Sequence, residues 1–449
     1  MKLKKFAALL LCAAVMLPLA ACVKKPGGSE NSSGTSSSES TTATPTKDKD
    51  TSIVATDKSR KGPAVQDLMK GITKGKGVSK KPDSRFENAA ASFALDLFRD
   101  EYKSGRKTLV SPLSVFTALA MTQNGAEDRT LSEMQKTLGG LDRDVLNAYM
   151  NAYLAELTGK DSALKCANSL WIDSRLDVKT SFLQKNADFY SAQAYKADFT
   201  RKNTVNEINS WVNKNTNGMI KKLVDEFDPL TVMVLMNALC LEAEWDDPYT
   251  DNCVREGTFK NAKGNLVKAE YMYSQETEYI ETENATGFVK YYKGGKFAFV
   301  ALLPNEGTSI DSYIASLTGK GFLSALNSRK NTQVNTQMPK FKCEYSNSLV
   351  DTLKKMGMST AFDWDRANFS SMATLKNENI YISDVIHKTF IEVAEKGTRA
   401  GAVTAVISEK SAAMPVEQPK EVRLTRPFVY AIIDTRTNLP LFIGAQTDI

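Results

Sequence analysis

Histidine is almost absent from this chain: there is one, His387, in 449 residues. That excludes a zinc site built on two or more imidazoles and leaves room for a single histidine-based triad at most. No GxSxG elbow, no GxxxxGK[ST] phosphate loop and no HExxH pair occurs, so the short motifs of common hydrolases, nucleotide-binding proteins and metalloproteases are missing. Aspartate and glutamate are plentiful but scattered along amphipathic segments, where a solvated face is their ordinary use. Neither a metal nor a cofactor is expected.

Cysteine spacing is equally uninformative for chemistry. Of the six cysteines, Cys12 and Cys22 lie near the N-terminus, and Cys166, Cys240, Cys253 and Cys343 show no CxxC spacing. Free thiols, buried or partly buried, are the expectation for these four. A long apolar run is lacking too. Lys2, Lys4 and Lys5 precede an apolar stretch from Phe6 to Ala21 that is short and interrupted by Pro18, which suits a signal peptide better than a membrane span. Leu19, Ala20, Ala21 and Cys22 then form the L-A-A-C pattern of bacterial lipoprotein signals, in which the cysteine thiol is lipidated. Residues 1–22 are thus expected to be a signal peptide ending at lipidated Cys22, placing the rest outside the cytoplasm on the cell envelope. Two or more acyl chains, at about 0.8 kcal/mol per buried CH₂, anchor a protein stably.

Residues 23–84 are rich in Ser, Thr, Lys and Gly and poor in aromatics, too little apolar surface to offset the entropy of ordering, and read as a disordered tether. Residues 1–84 carry 15 Lys and Arg against 7 Asp and Glu, which leaves 43 against 45 for residues 85–449. The basic charge therefore belongs to the signal and tether, and no nucleic-acid partner is expected.

Residues 85–449 are long enough for one large core. Ala90, Phe93, Ala94, Leu97 and Phe98 recur at helical spacing. Ser111 and Pro112 mark a helix start, Asn124 and Gly125 its end, and Thr130 with Glu133 fits a capping box closed by Gly139 and Gly140. Strands are expected later, at Thr231–Leu241 and Phe297–Pro304, both nearly continuous apolar runs suited to cover on two faces. Helices first and strands later, without strict alternation, predict an α+β fold.

From Val385 to Val406 the chain reads VIHKTFIEVAEKGTRAGAVTAV, a strand-like segment followed by small residues. Were residues from Thr398 onward extended, Thr398, Ala400, Ala402, Thr404, Val406 and Ser408 would share one face, all small or neutral, with Arg399 on the other. Such a segment could enter an already formed sheet at little steric cost. It resembles the hinge of serpins, whose reactive loop inserts into a β-sheet. Five further motifs match that family in order: LVSPLSVFTALAMTQNGAEDRT from Leu109, WVNKNTNGMIKKL from Trp211, NALCLEAEW from Asn237, MPKFKCEYSNSLVDTLKKMGM from Met338 and RPFVYAII from Arg426.

The resemblance implies a serpin fold over residues 85–449, with a helix-rich N-terminal part, a large central mixed sheet, smaller sheets and an exposed reactive loop at about 395–420. By the same resemblance His387 pairs beneath the main sheet with Asn237, Ser111 and Ser114, Trp245 stands where the sheet begins to open, and Glu395, Gly397, Thr398, Ala400, Ala402 and Thr404 form the hinge. The implied activity is inhibition rather than catalysis: a serine protease cleaves the loop, is held as an acyl-enzyme and is dragged as the loop inserts. Family spacing from Glu395 places the scissile bond at Ser411-Ala412, within a window of Lys410, Ala413 and Met414; small residues there suit an elastase-like or subtilisin-like target. A monomer is expected, with the protease as covalent partner. The alternatives are a non-inhibitory serpin with a binding or chaperone role, and a solute-binding lipoprotein.

Overall fold

Among the described residues the first half of the chain holds six α-helices, α1 (Ser84–Glu101), α2 (Pro112–Thr122), α3 (Asp128–Thr137), α4 (Arg143–Leu157), α5 (Thr180–Tyr190) and α6 (Lys202–Asn215), with the strands Val65–Asp67, Thr108–Val110, Leu164–Asp173 and Gln193–Ala197 before and between them, so helices and strands are more interleaved than the sequence suggests. The computed structural model describes residues 63–159, 162–376, 378–398 and 418–449. In α1 the Asp83 carboxylate accepts from the Arg85 and Phe86 amides, meeting orphan donors of the first turn, and Phe86, Phe93, Ala94, Leu97 and Phe98 are buried. Every residue of α2 is buried, as befits a helix apolar on all sides and enclosed by the fold.

The capping box expected at Thr130 and Glu133 is not formed. α3 begins two residues earlier, at Asp128, and both side chains reach across to another segment. The Thr130 hydroxyl accepts from the Asn368 amide at 2.9 Å, and the Glu133 carboxylate accepts from the Thr360 amide and hydroxyl at 2.8 and 2.9 Å. The folded part also starts ahead of residue 85. Val65–Asp67 pairs with Gln193–Ala197 as an edge strand, Leu68, Met69 and Ile72 pack against the core, and the Lys80 amide bonds the Ala148 carbonyl. Composition misjudged this stretch because the sheet edge and the helices supply the apolar partner that its few large side chains lack locally.

Among the described residues the main sheet has eight strands. Its order runs Val65–Asp67, Gln193–Ala197, Leu164–Asp173, Met233–Leu241, Asp384–Ala394, then the short pieces Gly397–Thr398 and Ala243–Glu244, with Phe341–Ser348 on the other side of Asp384–Ala394. Side chains of Met233–Leu241 alternate between two cores. Met233, Leu235, Leu239 and Leu241 face the large one, while Val234 and Met236 join Trp171, Ile208, Trp211, Val212 and Ile386 in a smaller core under α6. Burial on both faces explains the unbroken apolar run that this strand shows in sequence. A nine-stranded second sheet carries Phe297–Pro304, Phe428–Asp434 and Pro440–Gln446 side by side, each buried along its whole length.

Glu101, at the end of α1, is 1% exposed and accepts hydrogen bonds from Tyr345, Asn347 and Thr352. It thereby ties α1 to the strand that flanks Asp384–Ala394. Removing the carboxylate strands three donors, at about 1 to 3 kcal/mol each where they stay dry. Glu101→Ala is therefore expected to lower the thermal unfolding midpoint of the intact protein by several degrees, and Glu101→Gln by much less.

Candidate functional site

Two adjacent strands of the main sheet are joined at one end only. Asp384, Val385 and Ile386 pair in parallel with Val234, Leu235 and Met236, and no further pairing joins these strands among the described residues. At the other end the gap is filled. Gly397 and Thr398 turn back on Ala394 and Val393 in antiparallel register and bond on their far side to Glu244 and Ala243. The chain thus enters the sheet there as a new strand of two residues.

Aromatic packing and backbone hydrogen bonds hold this entry. The Trp245 indole N–H donates to the Ala394 carbonyl and its amide to the Lys396 carbonyl, both at 2.9 Å, and the Tyr249 amide reaches the Glu395 carbonyl at the same distance. Trp245 stacks on Tyr292 with ring centroids 4.4 Å apart and planes 12° from parallel. Tyr292 in turn hydrogen bonds the Thr398 hydroxyl, and Thr398 is buried. Gly397 has φ +150°, and a Cβ there would collide with the Ala243 carbonyl oxygen, so the close approach of the two backbones requires glycine.

Charges complete the site. Lys340 bridges Glu395 at 2.8 Å and Glu270 at 3.0 Å. Burial works against the Glu395 carboxylate, but the Lys340 ammonium outweighs it and holds the pKa below the ordinary value. Behind Trp245, Lys290 is 2% exposed, pairs with Glu276 at 2.8 Å and lies over the rings of Tyr249 and Trp245 at 4.5 and 5.7 Å.

Beneath the unjoined stretch lies His387. It shares the buried face of its strand with Val385, Thr389, Ile391 and Val393. The amide of Ser111, not its hydroxyl, donates to Nε2 at 3.1 Å, while the Ser111 hydroxyl donates to the Leu441 carbonyl at 2.9 Å. As the residue preceding Pro112 at the head of α2, Ser111 has an amide with no helical partner, and the imidazole supplies one. Thr389 adds a second tie, from its hydroxyl to the Leu109 carbonyl at 2.7 Å. Burial pulls the His387 pKa down to about 4, so the ring is neutral. Ser114 is buried on the next turn of α2, and Asn237 lies in the Met233–Leu241 strand, its side chain outside the described part.

The structure therefore brings together Glu395, Gly397, Thr398, Trp245, Ser111 and His387 along one seam. Ala400, Ala402, Thr404, Lys410, Ser411, Ala412, Ala413, Met414 and Cys22 lie outside the described residues. Sequence reasoning missed Tyr292, Lys290, Glu276 and Lys340 because each reaches the seam from a segment remote in sequence from the hinge, and missed Tyr249, four residues after Trp245, because it lies in a loop with no periodic pattern. Only Lys340, inside the MPKFK motif, carried any signal. Cys240, Cys253 and Cys343 are free thiols, and among the described residues no three His, Cys, Asp or Glu side chains gather as a metal site.

Residues 88–449 match the family model described as serpin (serine protease inhibitor). The chain belongs to the serpin family. This serpin is 32% identical over 363 residues to a serpin-like protein of Thermococcus kodakarensis, a match covering 80% of this chain and 84% of the other. Among solved structures it resembles the thermophilic serpin tengpin in its native state, at 42% identity and TM-score 0.82, covering 86% of this chain and 100% of that one. To tengpin in its latent state the likeness is less, at 39% identity and TM-score 0.73, over 83% and 100% of the two chains.

A depressed histidine pKa makes the serpin's seam acid-sensitive. The opened or unfolded chain takes up a proton below about pH 6.5, whereas the folded state resists it until about pH 4. Stability is thus lost as pH falls through that window, by about 3 kcal/mol in total. Thermal unfolding across this range is expected to show that loss in the wild type relative to His387→Gln, and no His387-dependent slope above pH 7.

Proposed function

We propose that this serpin inhibits serine proteases by a suicide-substrate mechanism in which the cleaved loop extends the strand already begun at Gly397 and Thr398. The observation that carries the proposal is the register of that two-residue entry. Continued from Val393 opposite Thr398, it sets Ile391, Thr389, His387 and Val385 opposite residues 400, 402, 404 and 406. Directly paired residues of an antiparallel sheet share a face. Ala400, Ala402, Thr404 and Val406 would therefore turn onto the buried face, where small side chains fit, and Arg399 would turn away. Among the described residues the ladder between the two flanking strands stops at Met236 and Ile386, and a strand entering beyond that point would pair with both edges.

The chemistry belongs to the protease. Its serine attacks the carbonyl of the scissile bond, here assigned to Ser411-Ala412, the new amine leaves with the C-terminal segment, and the acyl-enzyme forms. Insertion then competes with deacylation by water. About a dozen ladder hydrogen bonds at roughly 0.5 to 1.5 kcal/mol each supply on the order of 10 kcal/mol, enough to distort a catalytic site held at the strand's end. Trp245, Tyr292 and the Lys340 bridge would keep the first residues seated so that insertion starts at once. His387, with Ser111 and Ser114 below and Asn237 on the neighbouring strand, would hold the seam closed until then. Small residues at the scissile bond favour an elastase-like or subtilisin-like target. Display on the cell envelope through lipidated Cys22, as a monomer, completes the reading.

Mixing the purified protein with such proteases should give an adduct that survives SDS, with a released C-terminal peptide beginning at Ala412 or within a residue or two of it. Cleavage without any adduct would refute inhibition. Ala400→Arg should convert the inhibitor to a substrate by slowing insertion, whereas Arg399→Glu should leave trapping nearly intact; equal loss from both would show that the inserted face is assigned wrongly. The cleaved, protease-free protein should melt tens of degrees above the intact one, since the new strand adds hydrogen bonds and apolar burial.

A further inference from the structure

A buried ion pair behind the hinge has no part in the chemistry above. Lys290, 2% exposed, meets Glu276 at 2.8 Å. Taking two charges out of water is costly enough that an apolar pair of similar volume often serves stability as well or better, so the pair calls for another reason.

On one side it reaches the hinge. The Lys290 ammonium lies over the rings of Tyr249 and Trp245, and those two residues hold the backbone of Ala394, Glu395 and Lys396 through the three hydrogen bonds already described. On the other side it reaches the strand that follows the reactive loop. The Ser274 hydroxyl donates at 2.6 Å to the same Glu276 oxygen that Lys290 meets, and it stands 2.8 Å from the Thr336 hydroxyl and 3.3 Å from that of Tyr249. Ser274 pairs with Thr336 across the second sheet, and Thr336 pairs in turn with Val422 in the strand Lys420–Arg423. Thr336 and Val422 are buried. On the opposite face of the same three strands Gln275 donates to Asn335 at 3.1 Å and Asn335 to Glu421 at 2.8 Å, which fixes their register.

We infer that the Lys290–Glu276 pair is a positioning element for the reactive loop, holding the hinge and the strand beyond the loop in one fixed relation so that insertion starts from a seated hinge; the inference rests on the inhibitory reading above. Residues 399–419 join those two ends and carry the assigned scissile bond. Lys290 touches neither end itself. It acts through Trp245 and Tyr249 at the hinge, while Glu276 acts through Ser274 and Thr336 at the far strand. Buried polar groups linked in this way move together or lose their partners. A hinge released from Trp245 and Tyr249 would insert late, and deacylation by water would then win.

Lys290→Met alone leaves a buried carboxylate unpaired and should lower the melting temperature of the intact protein, whereas adding Glu276→Met removes that charge and should restore it. Positioning would still be lost. The double variant should therefore need severalfold more inhibitor per protease molecule inactivated than the wild type, despite its restored melting. Hydrogen exchange of the intact full-length proteins should show peptides covering 394–398 and 420–423 losing protection together in that variant. Should the double variant not fold, Glu276→Gln, which keeps an acceptor for Ser274 and drops only the charge, should show a smaller change in both readouts. Recovery of the wild-type stoichiometry along with the melting temperature would make the pair structural only and overturn the inference. Loss of protection at the hinge alone would overturn the link between the two ends of the loop. If the wild type forms no adduct, the inhibitory reading falls, and the exchange measurement, which uses no protease, then decides the link by itself.

Discussion

Among the described residues, the main sheet has two facing edges beyond Met236 on one strand and Ile386 on its neighbour that no ladder joins until Gly397 and Thr398 enter at the far end. Backbone amides and carbonyls are strong, obligatory hydrogen-bonding groups, and a further strand entering between such edges would pair with both. The rest of the seam manages that condition. Entry of two hinge residues at one pole and three parallel pairs at the other hold the edges in place without joining them.

Each end is held by a different kind of force. At the hinge the contacts are aromatic and charged: Trp245 on Tyr292, Tyr292 on Thr398, Lys340 between Glu395 and Glu270, and Lys290 with Glu276 behind them. Under the middle of the seam the contacts are short polar ties in a dry interior, from Ser111 to His387 and from Thr389 to Leu109. Buried hydrogen bonds are directional and costly to break, whereas the apolar contacts around them tolerate sliding. Polar ties in the middle therefore define a closed arrangement.

The two cores divide the work along the same line. Side chains of the Met233 strand alternate between the large core and the smaller one under α6, and Ile386 on the partner strand joins the smaller core. Parting these strands must disturb packing on both faces, so the seam opens against apolar burial as well as hydrogen bonds.

Local pattern determined a good deal of this protein. Helical spacing in α1, the proline at the head of α2, and the apolar runs that became Met233–Leu241 and Phe297–Pro304 were all legible, because period and burial follow from a side chain's immediate neighbours. The α+β class followed from their order. Of the alternation expected from Thr398 only its first residue is described, buried against Tyr292; Thr130 and Glu133 gave a false cap, since their real partners, Asn368 and Thr360, stand more than two hundred residues away. Tertiary structure alone decided that Ser111 meets His387 through its amide, that Tyr292, Lys340 and Glu101 serve the main sheet, that the fold takes up residues from Val65 onward, and that the sheet stays unjoined along its middle. Those are contacts between strands distant in the chain, and a sequence specifies them only through the packing of the whole.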